Sequence, residues 1–160
     1  MCIRDRYRAC PIDQCFTYPN RDWAVASRNQ ASSNFSLIDD IDLIYNPDWQ
    51  QGLGNSIATG VSQIASLCDE ALILLADQVR LSSEDLKRLT RRKDKSQITC
   101  ASYSKTVGPP AIFPAQFFPK LQNLSGDKGA KEMLAELTAI DCQINIPNAA
   151  FDIDFQSDLT

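Results

Sequence analysis

A chain of 160 residues holds one domain of ordinary size and not two. Its hydrophobic fraction of 44% beside a charged fraction of 22% is that of a folded globular protein and excludes a disordered one. The net charge of −4 argues against a nucleic-acid surface, and the absence of histidine removes Ser-His-Asp and Cys-His catalysis and most zinc sites, leaving carboxylates as metal ligands. No apolar run approaches the roughly 20 residues that span a bilayer. The charged start, Met-Cys-Ile-Arg-Asp-Arg-Tyr-Arg, lacks the apolar stretch of a signal peptide, so a cytoplasmic chain without a membrane partner is expected. Cys2, Cys10, Cys15, Cys68, Cys100 and Cys142 are scattered with no Cys-x-x-Cys pair, and the last three, in apolar surroundings, read as small core residues.

Residues 1–20 show no usable period and form an irregular start whose first six residues resemble a translated sequencing adapter. From residue 21 to 160 the pattern is that of one domain. Trp23–Ser27 and Ile41–Tyr45 read as strands, with a polar connection or short helix over Asn29–Leu37. Asn46–Gly54 is a loop set by Pro47 and two glycines, after which Asn55 or Ser56 caps a helix to about Leu67 with Ile57, Val61, Ile64 and Leu67 on its apolar face.

Ala71–Ala76 is an apolar run that ends abruptly at Asp77, as expected of a strand buried on both faces of a parallel sheet. Asp77 then lies at a carboxyl edge, where open α/β sheets bind ligands. Equally, it simply starts a turn. Ser82 or Ser83 followed by Glu84 and Asp85 opens a second helix with Leu86 and Leu89 facing inward. The basic run from Lys87 to Lys95 marks that helix's solvated end. Ile98–Ser102 reads as a strand, Tyr103–Pro110 as a loop and Ala111–Phe113 as a brief strand; Ala115–Leu121 is a helix in which Pro119 demands a break or a late start. A turn over Asn123–Gly129 feeds a helix over Ala130–Leu137, Gln143–Ile146 is a strand, and Phe151–Phe155 is extended. This alternation predicts an α/β fold, a mostly parallel sheet flanked by helices.

The loops, taken together, resemble one family. Asn46-Pro-Asp-Trp49 with Gly52 and Ser56, Leu75-Ala-Asp-Gln78, Gly108-Pro109, Ser125-Gly-Asp-Lys-Gly-Ala130, and Asp152-Ile-Asp154 with Asp158-Leu159 occur in the order found in molybdenum cofactor cytidylyltransferases, within the MobA-like nucleotidyltransferases. The resemblance covers residues 41–160 and implies the Rossmann-like nucleotide-diphospho-sugar transferase fold. It implies transfer of a nucleotidyl group, CMP from CTP, to a phosphorylated acceptor such as molybdopterin, with Mg2+ as cofactor and pyrophosphate leaving.

In that reading Asp77 is the catalytic metal-binding aspartate. Asp152 and Asp154 are candidates to complete the metal shell, and because they alternate along an extended segment one of the two faces the site. Gly52 and Ser56 approach the nucleotide, with a capped helix after a tight turn as the equal alternative. Gln78 and Gly108 are further binding candidates, Gly108 shaping the neighbouring wall, and Gly126 and Asp127 form the acceptor-side loop, with Lys128 placed to meet a phosphate or simply solvated.

The resemblance also calls for an opening strand and a glycine-rich loop of the form Leu-Ala-Ala-Gly-x-Ser-x-Arg-x-Gly-x-x-Lys that cradles a triphosphate. The sequence has neither such a strand, which lies centrally in the family's sheet, nor such a loop, so an incomplete, carboxyl-terminal part of such an enzyme is expected, inactive and weakly stable alone. Two alternatives stand beside it: a transferase of the same fold acting on a sugar phosphate or phospholactate, and a non-catalytic binding domain.

Overall fold

The computed structural model describes residues 2–3, 22–26, 41–75, 77–92, 94–127, 129–137 and 142–152. Seven strands among them form one sheet: β1 (Cys2–Ile3), β2 (Asp22–Ala26), β3 (Ile41–Tyr45), β4 (Glu70–Leu75), β5 (Thr99–Tyr103), β6 (Thr106–Pro114) and β7 (Gln143–Asn145). Their spatial order is β3-β2-β1-β4-β6-β5-β7. The pairs β3–β2, β2–β1, β1–β4 and β5–β7 are parallel, and β6 alone runs against both its neighbours. The two residues of β1 take the central slot between β2 and β4, which the sequence reading expects to be without its strand.

β4 is packed on both faces, as its unbroken apolar run requires, with one face buried and the other half-buried. Ala71 and Ile73 join a core with Ile57, Val61 and Ile64 of α1 (Leu53–Ile64), Phe118 and Leu121 of α3 (Phe118–Gln122) and Leu134 of α4 (Lys131–Leu137). Leu72 and Leu74 face the other way, onto a second core built from Leu86 and Leu89 of α2 (Ser83–Thr90) with Ile112, Ile146 and Ala149. Helices therefore cover both faces.

Three expectations are corrected. The segment Tyr103–Pro110 is a tight hairpin and not a loop: Tyr103 pairs with Thr106 across Ser104 and Lys105, both at positive φ (47° and 63°). That is the backbone of a two-residue hairpin turn, here without the Asn-Gly that announces one. Pro109 and Pro110 fall where the register slips, Cys100 facing Ala111 and Ala101 facing Gly108, so neither has to donate a ladder hydrogen bond.

The second correction concerns α1, which starts at Leu53 with Gly52 as its N-cap and ends at Ile64. Asn55 and Ser56 cap nothing; they lie in the first turn and accept hydrogen bonds from the buried Asn46 side chain at 2.9 and 3.0 Å. Leu67, beyond the helix end, is exposed. Thirdly, the basic run is not uniformly solvated. Arg92 has a side chain only 4% exposed and is ion-paired with Glu70 at the start of β4, because the chain turns inward after α2.

Other local readings hold. Ser82 and Asp85 make a reciprocal capping box at α2, Pro119 sits in the first turn of a late-starting α3, and Cys68, Cys100 and Cys142 lie in or beside the core. Burial pushes the Cys68 thiol up, in keeping with an inert packing role. Residues 153–155 of the expected extended segment, and most of 1–20, lie outside the described residues.

Asp85 supplies a pH prediction. Burial works to raise its carboxyl, but hydrogen bonds with Asn148 and Ser82 and the nearby Arg88 outweigh it and hold the group below the ordinary carboxylate value. A folded value below the unfolded one, about 3.9, means the stabilisation is complete above that value and is lost as pH falls through the folded value. Asp85→Asn will therefore lower the urea midpoint near neutral pH, and the difference between the two proteins will shrink as pH falls through the folded value.

Candidate functional site

The chain leaves β3, β4, β5 and β7 at the same edge of the sheet, and β6, being reversed, enters there. Every described residue singled out from the sequence lies on the segments at this edge. They form two groups. Gly52, Ser56, Gly126 and Asp127 gather beyond β3; Asp77, Gln78, Gly108 and Asp152 gather beyond β4, three strand spacings or roughly 14 Å away. Asp154 and Lys128 lie outside the described residues.

The first group is held by Asn46, whose Oδ1 accepts from the Asp48 N–H at 3.0 Å while its amide reaches Asn55 and Ser56. This fixes the turn out of β3 and the entry of α1. The loop over Ser125–Asp127 then packs onto that entry, with the Gly54 N–H donating to the Gly126 carbonyl at 2.8 Å. The close approach that Gly52 permits is made by the chain's own backbone: a Cβ there would lie 2.5 Å from the Gly126 carbonyl carbon. The nucleotide-side and acceptor-side loops of the sequence reading are thus packed against each other.

The second group is organised by Gln78. Its side chain is buried, and Nε2 donates to the Pro109 carbonyl at 2.9 Å and the Ala149 carbonyl at 2.8 Å. One amide therefore ties the turn after β4 to the slip in β6 and to the 3-10 turn Pro147–Ala150 that precedes Asp152. The Val79 N–H donates to the Asp77 carbonyl at 2.9 Å, so Asp77 begins a hydrogen-bonded turn at the strand end. Across it the Arg80 guanidinium stacks 3.8 Å over the Phe151 ring, a cation–π contact that joins the same two segments.

Sequence reading missed Tyr103, because a residue placed in a loop gives no facing direction. As the last residue of β5 it packs on the second core, with its hydroxyl against Gly108: a Cβ at Gly108 would lie 2.4 Å from it. Burial raises the phenol above its ordinary value, Asp152, Cys100 and Asp77 push it the same way, and a hydrogen bond with Gln78 opposes them. No alternation along β5 marks it, since Thr99, Cys100 and Ala101 are all buried.

Among the described residues no three His, Cys, Asp or Glu side chains converge to enclose a metal by themselves. Asp77 and Asp152 nonetheless suit a hard cation. Mg2+ and Mn2+ prefer oxygen, and nucleotide-bound Mg2+ commonly takes one or two carboxylates and completes its shell with water and phosphate. A groove of about 510 Å3 lies beside the β5–β6 turn, lined by Ser102, Lys105, Thr106, Gln143 and Asn145 among others, and none of the residues singled out from the sequence lines it.

Comparison with known proteins places this arrangement. A stretch of 88 residues, 54% of the chain, is 35% identical to the purine catabolism protein PucB of Bacillus subtilis (strain 168), of whose length it spans 42%. Among solved structures, Rv0371c from Mycobacterium tuberculosis H37Rv matches at a TM-score of 0.70 with 14% identity, over 99% of this chain and 94% of its own. The same protein in complex with manganese matches at 0.67 with 16% identity over the same shares. A nucleotidyl transferase from Methanothermobacter thermautotroptrophicus matches at 0.67 with 19% identity, over 88% of this chain and 70% of its own. These likenesses show the nucleotide-diphospho-sugar transferase fold. No helix among the described residues is long and apolar enough to cross a membrane. The model of the MobA-like NTP transferase domain matches residues 5–140, and the chain belongs to that family.

Proposed function

We propose that the edge around Asp77 binds a nucleoside triphosphate together with a divalent cation, in a cytoplasmic enzyme that moves CMP from CTP to a phosphorylated acceptor such as molybdopterin and releases pyrophosphate. The observation that carries this reading is the meeting of Asp77, Gln78, Gly108 and Asp152 at one strand-end edge of a chain of this family. The choice of CTP and of the acceptor rests on the ordered motifs that resemble the cytidylyltransferases.

Asp77 and Asp152 would hold Mg2+, with Asp154 as the alternative to Asp152; the manganese complex of Rv0371c supports a divalent cation here. When bound, the cation screens the charge between acceptor phosphate and α-phosphate and so favours the displacement. Gln78 keeps the Asp77 turn fixed against β6. Gly108 leaves the Tyr103 hydroxyl its room, and Asp127 with Gly126 borders the acceptor side.

The test is calorimetric titration with CTP, GTP, ATP and UTP, with and without Mg2+. Saturable binding, tightest for CTP and lost in EDTA, is the expected result; binding unchanged by EDTA would favour a non-catalytic domain.

A further inference from the structure

We propose that Arg80, stacked on Phe151, binds a phosphate oxygen of the substrate that the divalent cation holds at this edge. The inference rests on the nucleotide and metal reading above and adds to it a residue outside every motif that carries the resemblance. Arg80 lies in the turn that Asp77 opens, where the Val79 N–H donates to the Asp77 carbonyl at 2.9 Å and the Leu81 N–H to the Gln78 carbonyl at 3.2 Å. Its guanidinium sits 3.8 Å over the ring of Phe151, the residue before Asp152. The segment under the ring is fixed in turn, because the Phe151 N–H donates to the Asn148 carbonyl at 3.3 Å and Gln78 Nε2 to the Ala149 carbonyl at 2.8 Å. The arginine is thereby held between the two segments that carry Asp77 and Asp152.

The stack leaves the donors of Arg80 unused. An aromatic ring takes the face of a guanidinium, while the N–H groups project in its plane as the fork that matches phosphate or carboxylate. Arg88, Arg91 and Arg92 are each ion-paired, with Asp85, Glu84 and Glu70. Among the described residues no ion pair or hydrogen bond engages the Arg80 side chain. Arg80 and Phe151 are both exposed, so a ligand can reach them. Residues 77–81 and 147–152 contain no other basic side chain. A phosphate chain carries more negative charge than one divalent cation neutralises, and Asp77 and Asp152 add to it. Arg80 supplies the opposing charge, and its stack on Phe151 spares part of the entropy of fixing a long side chain.

The test compares the full chain with Arg80→Ala, Arg80→Lys and Phe151→Leu. Binding of Mn2+ alone is followed by the electron paramagnetic resonance of the free ion; binding of the preformed Mn2+ complex of tripolyphosphate, and of glycerol phosphate in saturating Mn2+, is followed by calorimetry. Arg80→Ala is expected to weaken phosphate binding by about tenfold or more. Arg80→Lys, which keeps the charge without the fork, is expected to lose less, and Phe151→Leu to act in the same direction. Mn2+ binding alone and the thermal midpoint should stay those of the parent. A loss for tripolyphosphate assigns Arg80 to the phosphate chain of the nucleotide, and a loss confined to glycerol phosphate assigns it to the phosphate of the acceptor. If the parent binds Mn2+ but neither phosphate probe, or if Arg80→Ala binds both probes like the parent, this inference falls alone. It falls alone as well if Arg80→Ala weakens Mn2+ by itself as much as the phosphates, since Arg80 then only clips the two segments together. If the parent shows no saturable binding of Mn2+ or of its tripolyphosphate complex, the metal reading fails and takes the inference with it.

Discussion

Asp77→Asn is expected to reduce Mg2+-dependent nucleotide binding by at least about a hundredfold, because even outer-shell partners of a metal cost 10–100-fold when lost and Asp77 is placed as a direct ligand. The substitution keeps the size of the side chain. It also leaves the turn intact, since that turn is closed by the Asp77 carbonyl, which accepts from the Val79 N–H. With that backbone bond retained, the thermal midpoint should hold. Calorimetry of CTP with Mg2+ measures the first effect and a thermal melt the second. Unchanged Mg2+-dependent affinity would remove Asp77 from the site.

The second large effect is structural. Gly52→Ala should destabilise the chain by about 3–5 kcal/mol, combining strain at a conformation open essentially to glycine with overlap against fixed backbone. Gly52 has φ 103° and ψ 177°, and a Cβ there would lie 2.5 Å from Asp127 Oδ1 and from the Gly126 carbonyl carbon. Neither the loop nor the start of α1 can yield without breaking the 2.8 Å bond between the Gly54 N–H and the Gly126 carbonyl. Gly126→Ala is the control: φ is 71°, but nothing lies within 4 Å of the added Cβ, so only backbone strain of about 1–2 kcal/mol is expected. Urea midpoints of the two variants measure the difference. Equal losses would mean that the packing of this loop on α1 contributes nothing.

Much of this was legible in the sequence where local chemistry settles local structure. The apolar run of β4 announced a strand packed on both faces, though one face is only half-buried, and Ser82 with Asp85 announced the start of α2. Elsewhere a long-range partner overrode the local signal. Ser56 looks like a helix cap by composition, yet the Asn46 amide, ten residues earlier, uses its hydroxyl and the helix starts at Leu53. Pro109 and Pro110 look like a loop because prolines donate no ladder bond, yet the slip in register lets them sit inside β6. Arg92 looks solvated until Glu70, more than twenty residues away, is brought to it.

The site followed the same division. Asp77 was readable because a strand end places it, whereas Tyr103 was not, because its surroundings come from four separate segments: the turn after β4, β5, β6 and the stretch before Asp152. Gly52 and Gly126-Asp127 were each recognisable as turns. That they pack on each other is a property of the tertiary structure alone.

The most direct test of the account is to add Mn2+ in small steps to the isotopically labelled chain and follow paramagnetic broadening of its backbone amide resonances. The account predicts that the signals of Asp77, Gln78, Gly108 and Asp152 disappear first, that CTP sharpens this pattern, and that Asp77→Asn removes it. Broadening that begins elsewhere, or spreads evenly over the acidic surface, would contradict the assignment of this sheet edge as the metal and nucleotide site.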